Sequence, residues 1–114
     1  MELLVYKASA GSGKTFTLAV EYIKLLILNP RAYRQILAVT FTNKATAEMK
    51  ERILSQLYGI WKGDKDSDAY LKRIIAETGK PVEEVREAAK VALTNMLHDY
   101  SRFRVETIDS FFQS

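Results

Sequence analysis

The sequence predicts an α/β protein built on a parallel sheet with helices packed against it. Three short apolar runs, at residues 3–7, 36–41 and 103–108, have the length and composition of buried strands. Amphipathic stretches with helical spacing separate these runs. Strands that alternate with helices form parallel sheets, because each connection must cross from one end of the sheet to the other.

Length and composition narrow the class of protein further. The chain has 114 residues, enough for one small domain, and with 47% hydrophobic and 27% charged residues it can form a core. It has no cysteine and one histidine, which excludes a disulfide framework and a cysteine or multi-histidine metal site. No apolar run has the length of about 18 residues that a membrane span needs, and no basic leader precedes the first strand. We therefore expect a cytoplasmic protein with no membrane partner.

Charge is unevenly distributed along the chain. Residues 31–62 carry six Lys or Arg against two acidic residues, whereas residues 63–100 carry eight acidic residues against six basic ones. The basic middle suits an anionic partner, and it equally suits a mixed, solvated surface.

The first half of the chain has clear helix boundaries. A helix is predicted over residues 15–28 and ends at Asn29-Pro30. Thr42-Asn43 is suited to cap the next helix. That helix carries apolar residues at four-residue intervals, which we expect in the core: Met49, Ile53, Leu57 and Trp61. Its charged residues Glu48, Lys50, Glu51 and Arg52 are expected to form a solvated face.

The second half is predicted to be mainly helical before the last strand. A polar loop at 63–68 leads to a short helix over 69–77 that ends at Gly79, a residue suited to a left-handed cap. Pro81 is expected as the first residue of a long helix that reaches about Tyr100, with His98 as a polar residue on its surface. Asp109-Ser110 is suited to cap one more helix.

The loop after the first strand has the pattern of a P-loop. Residues 8–15 read Ala-Ser-Ala-Gly-Ser-Gly-Lys-Thr. The glycines allow the backbone to approach phosphate, and successive N–H groups form an anion nest beside the start of a helix. The residues predicted to contact the nucleotide are Ala8, Ser9, Ala10, Gly11, Ser12, Gly13, Lys14, Thr15 and Phe16.

Two of these side chains have distinct predicted roles. Lys14 places a compact positive charge on the β- and γ-phosphates and is the candidate catalytic residue. Thr15 offers a hydroxyl to Mg²⁺. The predicted cofactors are therefore ATP and Mg²⁺.

Three segments, in order along the chain, resemble motifs of the superfamily 1 helicases. Residues 8–18 resemble motif I, and residues 40–53, which begin Thr40-Phe41-Thr42-Asn43-Lys44, are similar to motif Ia of the UvrD/Rep family. Residues 103–112, containing Thr107-Ile108-Asp109-Ser110-Phe111, resemble motif Ib. The chain is most similar to the RecB/AddA helicase–nuclease branch of that family.

The resemblance implies a P-loop NTPase, RecA-like fold with an incomplete sheet. Residues 1–114 would be the N-terminal part of the ATPase motor domain, of 1A type, with 62–101 as a helical insertion. Motif I binds ATP in that family, and motifs Ia and Ib line the single-stranded DNA track. The DNA-binding residues implied are Phe41, Thr42, Asn43, Lys44, Thr107, Asp109 and Ser110.

Some of these residues also have a rationale independent of the resemblance. Phe41 is suited to stack on a base, or alternatively to close the core at the strand end. Thr42, Asn43 and Lys44 precede or begin a helix, a position suited to a phosphate. Where Asp109 stands, the family usually has a histidine, so a helix-capping role competes with a DNA contact there. The adenine-reading glutamine of many UvrD-type members has no room before Ala8.

The family's magnesium-binding Asp-Glu motif, its γ-phosphate-sensing arginines and its second motor domain all lie downstream of motif Ib. We therefore expect this piece to bind nucleotide and hardly to hydrolyse it, and the parent to be an ATP-dependent DNA helicase. The parent would act on single-stranded and duplex DNA in repair or recombination, with the rest of the helicase chain and a nuclease partner subunit as its protein partners. The alternatives are a stand-alone P-loop kinase or NTPase, and a nucleic-acid-binding module with a structural anion site.

The missing later strands also lead to an expectation about association. Apolar strand edges and faces built from Leu3–Tyr6, Ile36–Val39 and Val105–Ile108 should be left open, and a helix that stops near Phe111-Phe112 should have an unpacked apolar face. We therefore expect the piece to self-associate.

Overall fold

The structure, a computed structural model, describes residues 2–5 and 12–113, with side chains from residue 14 to 113. Short 3-10 turns occupy 32–35, 65–67 and 100–102. The predicted α/β class with a parallel sheet is confirmed. The strands and α-helices of the described residues are β1 (Glu2–Val5), α1 (Ser12–Leu28), β2 (Ile36–Thr40), α2 (Asn43–Lys62), α3 (Asp68–Thr78), α4 (Val82–His98), β3 (Val105–Thr107) and α5 (Ile108–Gln113).

The three strands form one sheet in the order β1-β2-β3, and both pairs are parallel. All five residues of the central strand β2 are buried. The expectation that Ile36–Val39 would be left with an open edge is therefore wrong, because β2 is hydrogen-bonded on both sides. Within the described sheet, the outer edges of β1 and β3 are the unpaired ones.

Helix α1 begins at Ser12, three residues earlier than the apolar spacing predicted, and ends at Leu28. Its buried face includes Leu18, Tyr22 and Leu26. The chain turns away after it because the Asn29 side chain accepts a hydrogen bond from the backbone N–H of Arg31 at 3.1 Å. Such an Asx turn offers the backbone an alternative to continuing the helix.

Helix α2 is bounded at both ends by local chemistry. Thr42 is its N-cap, and the Thr42 hydroxyl accepts from the N–H of Ala45 at 3.0 Å, as the sequence predicted. Gly63 ends the helix in a left-handed conformation with φ of 75°. Of the four residues expected in the core, Trp61 is only partly buried and packs at the edge of the core. The other three, Met49, Ile53 and Leu57, are buried.

Helices α3 and α4 follow with one correction to the predicted boundaries. Gly79 has φ of 71°, which confirms the predicted left-handed cap of α3. Pro81, predicted as the first helical residue, is instead the N-cap of α4, because its ψ of 153° is extended. Helix α4 runs antiparallel to α2: the Arg86 guanidinium donates to the carbonyl of Ile60 at 3.0 Å near the end of α2. His98 is exposed in the last turn of α4, as expected.

The main core lies between the helices and one face of the sheet. Ile36, Ala38 and Val105 from the strands join a cluster with buried residues of α1, α2, α3 and α4. Phe103, predicted to begin the last strand, lies in this core instead, with its ring 5.7 Å from that of Tyr22. Strand β3 is consequently shorter than predicted. No helix among the described residues is long and apolar enough to cross a membrane.

Candidate nucleotide and DNA sites

Three predicted binding segments leave the sheet at the same edge. Val5, the last residue of β1, pairs with Val39, and Thr40 pairs with Thr107 at the ends of β2 and β3. Because the strands are parallel, the loop after Val5 and the segments beginning at 41 and 108 all start at their carboxyl ends. This is the edge at which open α/β sheets bind their ligands.

The P-loop prediction is only partly within the described residues. Ala8, Ser9, Ala10 and Gly11 lie outside them, so the structure does not test their predicted contacts. Ser12 and Gly13 are the first two residues of α1, which places the next two residues in its first turn. Of these, Lys14 is exposed and Thr15 is partly buried.

The first turn of α1 is chemically suited to an anion. The N–H groups of a first helical turn have no partners within the helix, and the helix dipole places partial positive charge there. No acidic residue lies in this turn, whereas Lys14 adds a full positive charge. These features fit a phosphate ligand.

The residues present also fit a magnesium ion that is held mainly by its nucleotide. Thr15 supplies one hydroxyl oxygen. In the described ranges there is no group of three or more His, Cys, Asp or Glu side chains that could hold a metal ion. Mg²⁺ takes few protein ligands and keeps phosphate oxygens and waters in its coordination sphere, so one hydroxyl is consistent with its chemistry.

Phe16 connects the start of α1 to the two following helices. Its ring centroid lies 4.6 Å from that of Tyr70 in α3, and Phe16 is partly buried. The Tyr70 hydroxyl in turn accepts a hydrogen bond from Arg52 of α2 at 2.9 Å. The expectation that Arg52 lies on a solvated helix face is therefore wrong, because its guanidinium is bound to a buried tyrosine. Phe16, predicted to contact nucleotide, packs its ring against Tyr70.

Phe41 is an exposed aromatic residue of the predicted DNA site that follows β2. Its side chain is 47% exposed, directly after the buried Thr40. The alternative that Phe41 closes the core is therefore wrong, and its ring is accessible to a stacking partner. Asn43 and Lys44, the first two residues of α2, are also exposed. Thr42 is exposed as well, but its hydroxyl is engaged in capping.

A cluster of three threonines fixes this segment, and the sequence analysis did not identify its role. The Thr40 Oγ1 atom lies 2.6 Å from Thr46 Oγ1, so one of these hydroxyls donates to the other. The Thr42 carbonyl oxygen lies 3.3 Å from Thr40 Oγ1 and 3.2 Å from Thr46 Oγ1 and accepts from the hydroxyl whose proton is left. Thr40 is fully buried and also lies 3.5 Å from the carbonyl oxygen of Glu106 in β3. The recurrence of threonine at 40, 42 and 46 around the end of a strand is the sequence signal from which this hydrogen-bonded cluster could have been predicted.

The segment after β3 is capped differently from the prediction. Thr107 Oγ1 accepts from the backbone N–H of Ser110 at 3.2 Å, and the Thr107 hydroxyl donates to Ser110 Oγ at 3.1 Å. Thr107 therefore takes the capping role expected of Asp109-Ser110, because α5 already begins at Ile108. Asp109 lies exposed in the first turn of α5, where a carboxylate suits the helix dipole.

Known proteins resemble this chain in parts of their length. A RecBCD enzyme subunit RecB from Buchnera aphidicola is 34% identical over 94% of this chain and 10% of its own length. RecB from Escherichia coli is 43% identical over 46% of this chain and 5% of its own length. DNA helicase II from Haemophilus influenzae is 44% identical over 55% of this chain and 10% of its own length.

The chain thus spans a tenth or less of the length of these relatives. No solved structure matches it. The family model of the UvrD/REP helicase N-terminal domain matches residues 2–113, which is nearly the whole chain. The three predicted motifs lie within that range. The chain belongs to the UvrD/REP helicase N-terminal domain family.

Proposed function

We propose that this chain is the nucleotide-binding and DNA-contacting first part of the motor of an ATP-dependent DNA helicase. In this proposal Lys14 and Thr15 bind the phosphates and Mg²⁺ of ATP, together with the residues of the loop before them. The branch we propose is that of RecB and AddA, in which the parent would act in repair or recombination with a partner subunit. Residues 62–101 would be an insertion within a RecA-like motor domain.

The observation that carries the proposal is the register of the sheet. The pairing of Thr40 with Thr107 brings together the starts of the segments that follow β2 and β3. Val5, the last residue of the strand that precedes the P-loop in the sequence, pairs with Val39 of the same central strand. A nucleotide at the start of α1 and a DNA strand along the two other segments would therefore be neighbours. That proximity is what an ATP-driven DNA motor needs.

DNA would be held at this edge by stacking and by charge. The exposed Phe41 ring offers a π-face to a base. Lys44 and the first N–H groups of α2 would bind a phosphate, and the absence of an acidic residue from the first turn of α2 favours an anion there. Asp109 adds a negative charge at the neighbouring segment, so its proposed role is to stabilise α5 rather than to bind phosphate.

We further propose that the 114-residue chain binds ATP without turning it over. Phosphoryl transfer needs carboxylates that hold Mg²⁺ and orient the attacking water. Among the described strands, the carboxylate nearest the carboxyl edge is Glu106, and its Oε2 atom lies 2.7 Å from Nη2 of Arg104. A carboxylate neutralised in this way is poorly suited to bind a metal ion.

Calorimetric titration of the chain with ATP and with ADP, with and without Mg²⁺, tests the proposal. Lys14→Ala should weaken nucleotide binding at least about tenfold, because a charge-assisted phosphate contact is lost. Lys72→Ala, which removes an exposed lysine of α3, is the matched control and should leave the affinity unchanged. Equal affinity of the wild type and Lys14→Ala would refute the nucleotide site. Mg²⁺-dependent turnover that Lys14→Ala abolishes would refute the second proposal.

A further inference from the structure

Three lysines of α2 and α4 lie over aromatic rings. Lys62 Nζ is 4.2 Å from the ring centroid of Trp61, and Lys90 Nζ is 5.8 Å from the same ring. Lys50 Nζ is 5.0 Å from the ring of Tyr100. We call these residues, together with Tyr58, the aromatic–lysine strip: Lys50, Tyr58, Trp61, Lys62, Lys90 and Tyr100.

The strip follows the line along which α2 and α4 pack. Because the two helices are antiparallel, Trp61 of α2 meets Lys90 of α4 at one end, and Lys50 meets Tyr100, just beyond α4, at the other. The two ends are eleven helical residues apart on α2, which corresponds to about 17 Å. That length accommodates a few nucleotides of an extended strand.

Aromatic surface is exposed along the strip. Tyr58 is 52% exposed and Tyr100 is 46% exposed. The rings of Tyr58 and Trp61 meet edge to face at 5.7 Å, and Trp61 packs against the core. Trp61 therefore anchors the strip, whereas the two tyrosines present ring surface to solvent.

The lysines of the strip are paired with rings rather than with acids. No ion pair between described residues includes Lys50, Lys62 or Lys90. An ammonium group that sits on a ring face still has N–H donors directed away from it, and these are suited to bind an anion. Exposed carboxylates of Glu51 and Glu87 lie on the same two helices, so the strip is not uniformly basic.

Exposed rings beside ammonium groups that form no ion pair with another described residue match the chemistry of a single-stranded nucleic acid. Bases stack on aromatic side chains irrespective of sequence, and phosphates bind the cations between them. An apolar protein segment would cover the rings but would leave the ammonium groups without counter-charges. We propose that the aromatic–lysine strip binds single-stranded DNA.

Two members of the strip, Tyr58 and Lys62, lie on the same side of α2 as Lys44 of the proposed DNA site. Positions 44, 47, 51, 54, 58 and 62 recur at intervals of three and four residues, so they lie on one face of the helix. This face leads from Lys44, at the start of α2, to Lys62 at its end. The inference rests on the proposed function in one respect, that the chain binds single-stranded DNA. It adds a DNA contact away from the carboxyl ends of the β-strands.

Trp61, the one tryptophan of the sequence, provides the probe for a direct test. When the 114-residue chain is titrated with a short oligothymidylate at low salt, we expect the Trp61 fluorescence to be quenched. Tyr58→Ala should weaken binding about fivefold or more, because a stacking platform is lost, whereas Tyr58→Phe should bind like the wild type. Lys62→Ala should reduce the slope of log affinity against log salt by about 0.7, and Lys72→Ala should not change it.

Two outcomes would overturn the inference. One is Trp61 fluorescence that stays unchanged while fluorescence anisotropy shows the oligonucleotide to be bound. The other is Tyr58→Ala and Lys62→Ala binding the oligonucleotide as tightly as the wild type, with circular dichroism showing both variants folded. Phe41→Ala separates this inference from the proposed function: if Phe41→Ala alone weakens binding, the DNA site at the ends of the β-strands stands and the inference about the aromatic–lysine strip is overturned.

Discussion

The hydroxyl oxygens of Thr40 and Thr46 lie 2.6 Å apart, at the point where β2 ends and α2 begins. Thr40 is buried in the last position of the strand, and Thr46 lies in the first turns of the helix. Both hydroxyls also reach the carbonyl of Thr42. These bonds fix the turn that presents Phe41 to solvent, so the geometry of the proposed DNA contact depends on a side chain that would not touch DNA.

Thr40→Val tests this dependence. The substitution keeps the shape of the side chain and removes its hydrogen bonds, and we expect it to lower the free energy of unfolding by about 1–2 kcal/mol. It should also weaken binding of single-stranded DNA, because the segment of Phe41 is less well fixed. Urea unfolding and oligonucleotide anisotropy measure the two effects. Thr94→Val is the control, since the Thr94 hydroxyl bonds only the exposed carbonyl of Lys90 in the same helix. If Thr40→Val and Thr94→Val lowered the unfolding free energy and the DNA affinity equally, the special role of Thr40 would be contradicted.

Phe41→Ala should weaken binding of single-stranded DNA about fivefold or more, through loss of one stacking surface. Since Phe41 is 47% exposed, its removal should leave the unfolding midpoint nearly unchanged. Phe41→Trp preserves a π-face and should retain binding. Leu28→Ala, at an exposed residue at the end of α1, controls for the loss of exposed apolar surface. DNA affinity that is the same for Phe41→Ala and Leu28→Ala would exclude stacking at this position.

Asp99 should make stability depend on pH in the acid range. The hydrogen bond donated by the Tyr33 hydroxyl at 2.9 Å, together with Arg102 and Arg34, lowers the pKa of the Asp99 carboxyl below its usual value. A lowered pKa in the folded state contributes stability above the unfolded-state pKa of about 3.9, and this contribution is lost as pH falls through the folded-state value. Asp99→Asn should therefore be less stable than the wild type at neutral pH, with a difference that shrinks below about pH 4.

The measurement for Asp99 is chemical unfolding of both proteins across the acid range. Asp66→Asn, at an exposed aspartate that takes part in no ion pair with another described residue, matches the change in charge. A destabilisation by Asp99→Asn that is constant from neutral pH to pH about 2 would show that the carboxyl's charge contributes nothing.

Self-association is expected from the open edges of β1 and β3 and from Phe112, which is 76% exposed on α5. Light scattering over a range of concentrations should give a mass that rises above 13.0 kDa. Phe112→Glu should reduce this rise, and Leu28→Glu, at an exposed residue of α1, should not. A folded monomer at every concentration would mean that these edges and this side chain do not recruit a second copy.

Much of the fold follows from local signals in the sequence. The four-residue spacing of Met49, Ile53 and Leu57 fixed the buried face of α2, and Thr42 was identified as its cap because its side chain acts within the same segment. Gly79 was likewise identified as a cap from the residue type alone. These features depend on neighbours in sequence, which is why pattern and residue type were sufficient.

Several of the errors concern contacts between distant segments. Phe103 was predicted in the last strand but lies in the core, where its ring packs beside Tyr22. Arg52 was predicted on a solvated face but donates a hydrogen bond to Tyr70. The exposure of Phe41 and the bond between Thr40 and Glu106 depend on how β2 and β3 meet. None of these partners is near in sequence, so spacing and propensity carry no information about them.

The chain of contacts from Phe16 through Tyr70 to Arg52 has a thermodynamic consequence. It joins the first turn of α1, where the nucleotide is proposed to bind, to the helix that carries the proposed DNA contacts. If a bound nucleotide moves Phe16, the movement changes the contacts of α2 through Tyr70 and Arg52. Single-stranded DNA bound to α2 must then affect Phe16 in return. Linkage requires the two effects to be equal in free energy, so ATP should change the affinity for DNA by the same factor as DNA changes the affinity for ATP. Tyr70→Ala, which cuts the chain of contacts, should bring that factor closer to one.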